Sequence, residues 1–304
     1  MHTLIGLMLF MVHFSVHAVT GEKLDRTGFI QTFNAEFNEP GGSALDTKKW
    51  KTNYYFGTQL TKTWPNGSPV TMAQQSSSRM ITGERQVYID KEYCGRSPFW
   101  IGNGFLYLYS FKSDPIAKAT CGQGTRDYMS GLITTEKSFS QTHGYFEMRA
   151  RLPSSSGTWP AFWLLPTVKT PENLGRLPEI DIFEHWGGDY TVMSQGKPFV
   201  IKRKGKIVST IHEGTKNLEY ATSNRTAPPT VDVNAFHVFG MLWTPTEAIF
   251  YLDGIETYRT SFINDDPHYM LINVAISDTA GDPALGVYPT YMMIDYVRAY
   301  KVNP

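Results

Sequence analysis

Residues 145–152 alternate strictly, with Tyr145, Glu147, Arg149 and Arg151 on one side and Phe146, Met148, Ala150 and Leu152 on the other. Successive side chains of an extended strand point to opposite faces, so this segment carries one wholly apolar face that another layer has to cover. Residues 248–252 and 255–258 flank Asp253-Gly254, a pair suited to the two-residue type I′ turn of a tight hairpin. Residues 104–111 form a more continuous apolar run, read as a strand covered on both sides, and 292–300 supply a last strand. No helical period is sustained anywhere. The expected fold class is therefore all-β, with two antiparallel sheets packed face to face as an antiparallel β-sandwich. No low-complexity linker or change of composition divides the chain, so 19–304 reads as a single domain.

At the amino terminus an apolar run over 4–12 leads to Val16-His17-Ala18, the small-x-small form that a signal peptidase accepts. Residues 1–18 are read as a signal peptide, and the mature protein is expected to be secreted, extracellular or periplasmic, and free of the membrane. No later stretch approaches the ~20 apolar residues of a membrane helix. The 28 basic and 28 acidic side chains cancel, which leaves no net field to attract nucleic acid. A monomer is expected. Cys94 and Cys121 are the only cysteines. In an oxidising compartment a disulfide is their first reading and two unrelated buried thiols the second, while their spacing is not that of a CxxC zinc or redox site. Asn66-Gly67-Ser68 and Asn224-Arg225-Thr226 fit the glycosylation pattern.

The densest chemistry lies in Glu179-Ile180-Asp181-Ile182-Phe183-Glu184, followed by His185-Trp186-Gly187-Gly188. On a strand Glu179 and Asp181 share a face, but simple alternation would turn Glu184 to the other one. A β-bulge that takes up one residue around Ile182-Phe183 returns Glu184 to the face of the first two acids. Three unrelieved carboxylates in a row cost stability. Their use is that like charges push pKa values apart, so that one group stays protonated while another is ionised. Glycosidic bond cleavage needs that division of labour, with retention where two carboxyls stand about 5–5.5 Å apart and inversion across a wider gap. The outer glutamates would lie about 13 Å apart between Cα atoms on a straight strand, so their side chains must converge over a curved, concave sheet. A solvated strand face and a calcium site built of carboxylates are the alternatives at this point. HExxH, GxSxG and Walker patterns are absent from the sequence, which removes zinc hydrolase, serine hydrolase and nucleotide-driven readings.

These acids, with 128–135, 144–150 and 157–166 before them and 236–245, 251–254 and 294–298 after them, resemble glycoside hydrolase family 16. The bulged members of that family carry Glu-x-Asp-x-x-Glu on one strand of a concanavalin-like β-jelly roll. The likeness runs from about Phe33 onward, and the stretch 130–166 is most similar to the succinoglycan-type bacterial glycanases. It implies Glu179 as nucleophile, Glu184 as general acid/base and Asp181 as an assisting carboxylate. The implied activity is a retaining endo-β-glycanase acting on β-1,3 or mixed β-1,3/1,4-linked glucan or a related exopolysaccharide. The partner is then a polysaccharide, and catalysis requires no cofactor. The resemblance also places Asp295 where many members bind a structural calcium, and His212 where the family has a histidine near the acid/base, to bond Glu184, the sugar or neither.

Aromatic rings stack on the apolar faces of sugars. Trp159 and Trp163 are an even number of positions apart and both face the cleft if their segment is extended, with core packing as the alternative for each. Trp186 lies two positions beyond Glu184, on its face if the strand continues, and reads as a sugar platform. The basic stretch from Met193 to Ser209, with Lys197, Lys202, Arg203, Lys204 and Lys206, has no place in the common pattern. A non-catalytic carbohydrate-binding jelly roll and a transglycosylase are the competing functions. The three intact acids argue against the first, and nothing in the sequence separates the second from a hydrolase.

Overall fold

The computed structural model describes residues 21–53, 79–81, 83–115, 126–167, 178–213, 222–225 and 231–302. The alternating segments are strands. In chain order they are β1 (Phe29–Ala35), β2 (Gln86–Tyr88), β3 (Phe99–Gly102), β4 (Phe105–Lys112), β5 (Tyr128–Ser130) and β6 (Leu132–Thr134). Then come β7 (Gly144–Arg151), β8 (Thr158–Pro166), β9 (Glu179–His185), β10 (Tyr190–Ser194), β11 (Lys197–Ile201) and β12 (Ile207–Glu213). The last six are β13 (Thr222–Arg225), β14 (His237–Trp243), β15 (Glu247–Leu252), β16 (Ile255–Ser261), β17 (His268–Ile276) and β18 (Thr290–Val302). A short helix, α1 (Lys91–Cys94), is capped by Asp90, whose side chain accepts from the Tyr93 amide.

Among the described residues they form two large sheets and one two-stranded ribbon. A ten-stranded sheet runs β16-β15-β14-β7-β18-β4-β5-β2, with β1 on β18 and β3 on β4. A six-stranded sheet runs β13-β12-β9-β8-β17-β6, and among the described residues β10 and β11 pair only with each other. The β-sandwich is as expected, with one departure. β2 and β5 pair in parallel, which the intervening α1, β3 and β4 allow, because they supply the long connection that parallel strands require. Asp253 (φ 53°) and Gly254 (φ 77°) both take positive φ between β15 and β16, as the type I′ turn demands.

The core is the seam between the sheets. Phe146, Met148 and Ala150 of β7, Leu106 and Leu108 of β4, and Ile294 and Val297 of β18 come from the larger sheet. They meet Phe162 and Leu164 of β8, Ile180, Ile182 and Phe183 of β9, and Met270, Ile272 and Val274 of β17. Each such burial contributes about 1.5–3 kcal/mol, and the rings of Phe183 and Phe239, 4.2 Å apart, join the two sheets directly.

β4 corrects one expectation. Its apolar run is not covered on both sides: Leu106, Leu108 and Ser110 are buried, whereas Phe105, Tyr107, Tyr109 and Phe111 face outward and are half-exposed. The outward rings stack on one another, Tyr107 on Tyr109 at 6.2 Å and Tyr109 on Phe111 at 5.8 Å, and Arg96 lies over Phe111 at 4.1 Å. Cys94 is buried against Val87, Ile89 and Met129. Cys121, residues 1–18 and Asn66 lie outside the described residues, and Asn224 is on β13. Among the described residues no helix is long and apolar enough to cross a membrane.

Candidate active site

β9 lies between β8 and β12, and both neighbours meet the same irregularity in it. Across β8, Trp163 pairs with Asp181 and Phe162 with Phe183, so Ile182 has no partner of its own. Across β12, Thr210 pairs with Asp181 and Val208 with Glu184, so that Ser209 alone faces Ile182 and Phe183. This is the expected bulge. Ile182 and Phe183 both turn into the core, which gives the extra residue an apolar home. Ser209 donates its hydroxyl to the Ile182 carbonyl at 2.9 Å, satisfying a backbone group at the bulge. Asp181 and Glu184 then stand on the face turned away from the core, beside the half-buried Glu179.

Cross-strand neighbours hold each acid in place. His212 pairs with Glu179 and reaches diagonally to Asp181, its Nε2 3.1 Å from Oδ2. Thr210 pairs with Asp181 and by the same diagonal donates to Glu184 at 3.4 Å. From β8, Trp159 donates its indole N–H to Glu184 Oε1 at 3.1 Å. Glu184 is thus fixed from both sides, with exposure of only 7%. Burial, then the neighbouring Asp181 carboxylate, raise the proton affinity of Glu179 well above the usual carboxylate range. His212 opposes that rise, while a hydrogen bond with Asp181 and the charge of Glu184 add to it. Glu179 and Asp181 therefore titrate as a coupled pair, and whichever of the two carries a proton leaves the other an oriented carboxylate.

The structure brings together Glu179, Asp181, Glu184, Trp159, Trp186 and His212. Of the roles left open for His212, its register on β12, opposite Glu179, brings its ring against Asp181. Trp186 is corrected. It is 2% exposed, stacked on Trp159 at 6.2 Å and roofed by the Arg203 guanidinium at 4.8 Å, so it offers no open sugar platform. Trp163 faces the same side as the acids but is packed among Tyr88, Leu132, Ala161, Leu165, Tyr269 and Leu271. Its indole donates to Asn273 Oδ1 at 2.8 Å, and Asn273 donates in turn to the Tyr88 hydroxyl at 2.8 Å, so Trp163 is part of the floor. His185 points away from the acids. It is buried, and desolvation lowers its pKa to about 4 against the bond to the Lys206 carbonyl.

Asp295 lies at a bulge of β18, on the far sheet. The Arg149 guanidinium donates to its carboxylate, and it belongs to no group of three or more metal-ligating side chains among the described residues. Those side chains alone do not fit a calcium ion. The group that does meet that description, Glu179 with Asp181 and His212, is the acid cluster itself. Thr210, Ser209 and Asn273 carry no signal in a single sequence, since their importance comes from register.

The basic stretch becomes the β10–β11 hairpin and the segment after it. Gln195 and Gly196 take positive φ of 51° and 77° at its tip, another two-residue turn of the primed kind. Just before it, Gly187 lies so close to the preceding loop that a Cβ would stand 2.0 Å from the Ser155 carbonyl oxygen, a position only glycine can fill.

A profile of the glycosyl hydrolases family 16 matches residues 108–298. The chain is 32% identical over 286 residues to the Endo-1,3-1,4-beta-glycanase ExsH of Rhizobium meliloti (strain 1021), an overlap of 92% of this chain and 53% of that protein. It thus spans about half the length of that relative. Among solved structures it is similar to SCLam, a non-specific endo-beta-1,3(4)-glucanase. The TM-score is 0.65 at 25% identity, covering 95% of this chain and 97% of the other. The laminarinase from Rhodothermus marinus gives 0.61 at 26% identity, with 91% and 98% covered.

Proposed function

The chain belongs to the glycosyl hydrolases family 16, and from that premise we propose that it is a secreted, retaining endo-β-glycanase. Its substrate in this reading is β-1,3 or mixed β-1,3/1,4-linked glucan or a related exopolysaccharide. The single observation that carries the proposal is the bulge at Ile182-Phe183, by which Glu179, Asp181 and Glu184 share one face with Trp159 and His212 beside them.

Glu179 attacks the anomeric carbon while Glu184, oriented by Trp159 and Thr210, protonates the departing glycosidic oxygen. The C–O bond to the leaving sugar breaks as the bond to Glu179 forms, giving a glycosyl ester. Glu184, now ionised, takes a proton from water, which attacks the same carbon and releases Glu179. Two displacements restore the starting configuration. For the first, Glu179 must be the ionised partner of the Glu179–Asp181 pair. The reading therefore puts the shared proton on Asp181, which donates it in a hydrogen bond to Glu179. Trp159 at the acid/base is the ring best placed to meet the sugar, with Trp163 in the floor beneath. Catalysis requires no metal in this scheme.

Secretion rests on the leader at 1–18, and a Cys94–Cys121 disulfide would suit that compartment. The test is incubation with laminarin, mixed-linkage glucan, succinoglycan and xyloglucan, with product sizes measured and early products followed by proton NMR. Internal cuts in a β-1,3 or mixed-linkage polymer with the anomeric configuration retained are expected. Binding without cleavage, or an inverted product, overturns the proposal.

A further inference from the structure

Between Asp189 and Lys206 the chain carries Lys197, Lys202, Arg203, Lys204 and Lys206 against the single acid Asp189, while the whole chain sums to zero charge. That one acid is consumed at the base of the β10–β11 hairpin. It accepts from Lys202 Nζ at 2.8 Å and from the amides of Arg203 and Lys204 at 3.0 and 3.1 Å. The hairpin is therefore a local excess of positive charge in a neutral molecule.

It is also continuous with the acid cluster. Trp159 bonds Glu184, Trp186 stacks on Trp159, and the Arg203 guanidinium lies 4.8 Å from the Trp186 ring and 5.8 Å from the Tyr190 ring. Arg203 thus ties the hairpin to the rim of the site. From Tyr190, alternation and register put Val192, Ser194, Lys197, Phe199 and Ile201 on one hairpin face, with Tyr190 opposite Ile201 and Val192 opposite Phe199. Phe199 is 61% exposed on it, and Lys197 stands at its tip. An exposed ring beside cations, joined to a carbohydrate site, matches a sugar that presents both an apolar face and an anionic group.

We propose that this hairpin face, with Phe199 and Lys197, binds an acidic group carried by the polysaccharide substrate, such as a uronate or a carboxylated substituent. The inference rests on the glycanase reading above and narrows its substrate to acidic polymers.

The experiment compares mixed-linkage β-glucan with the same polymer after partial carboxymethylation, using the whole protein and its Lys197→Gln form, whose altered side chain is exposed at the hairpin tip. The variant should lose about threefold in kcat/KM on the carboxymethylated polymer and less than twofold on the neutral one. Added salt should erode the same difference in the native protein. Equal losses on both polymers, or none on either, overturn the proposal. If the native protein cuts neither polymer, the glycanase reading fails. Gel retardation by the carboxymethylated polymer then still decides this one: slower migration of the native protein than of Lys197→Gln supports it, and equal migration refutes it.

Discussion

Glu179 is where the chemistry and the stability of the molecule conflict. Its proton affinity is raised because it sits half-buried beside another carboxylate, so the folded state binds its proton more tightly than the unfolded chain does. Stability from this group is complete below its unfolded pKa, near the ordinary value of 4.5, and is lost as pH rises toward the raised folded value. Glu179→Gln removes that loss. The variant should be inactive on glucan yet melt at a higher temperature than the native protein near pH 7, and the gap should close as pH falls to about 4. Thermal melts at both pH values with a parallel assay check this, and a lower melting temperature near neutrality would contradict the assigned environment. The residue scale also shows how two diagonals organise the site, His212 to Asp181 and Thr210 to Glu184.

At the scale of the element, β9 is defined by its bulge. Ser209→Ala removes the hydroxyl that caps the Ile182 carbonyl and should destabilise the fold by about 1–2 kcal/mol. Activity should fall because Glu184 is less well fixed. Chemical denaturation together with kcat measures both. The bulge was legible in the sequence, because three acids in Glu-x-Asp-x-x-Glu can share a face only if one residue is taken up. The Asp253-Gly254 hairpin and the alternation of β7 were legible for the same kind of reason, each being a local rule. What could not be read depends on partners distant in sequence. Trp186 obeys the alternation that suggested a sugar platform, yet Arg203 covers it. β4 resembles a doubly covered strand because its outward side is built of rings, which shelter one another in place of a second layer. His212 bonds Asp181 because of β12 register, which a single sequence does not display.

For the whole molecule, acid titration sets buried groups against one another. His185 and His268 are buried neutral, desolvation lowering each pKa to about 4 from 6.5. Their stability is present above pH 6.5 and is lost as pH falls through about 4. Glu84 acts the other way. Burial raises it from 4.5 to about 7, against hydrogen bonds from Gln86 and Tyr88, so its contribution is complete below 4.5 and is lost as pH rises through about 7. Between these limits the gains of one set offset the losses of the other. Glu84→Gln should therefore melt higher than the native protein near pH 7 and lose more melting temperature on going to about pH 5. Equal slopes in the two proteins would show that Glu84 titrates normally.

The additional residue in β9 counts toward the interior and not toward the surface. It adds a side chain to the seam between the sheets while leaving the phase of everything after it unchanged, so His185 and Trp186 face as they would behind a strand one residue shorter. A shorter run reading Glu-Ile-Asp-Ile-Glu would present the same three carboxylates by plain alternation. In this strand, packing volume and catalytic geometry can be edited independently.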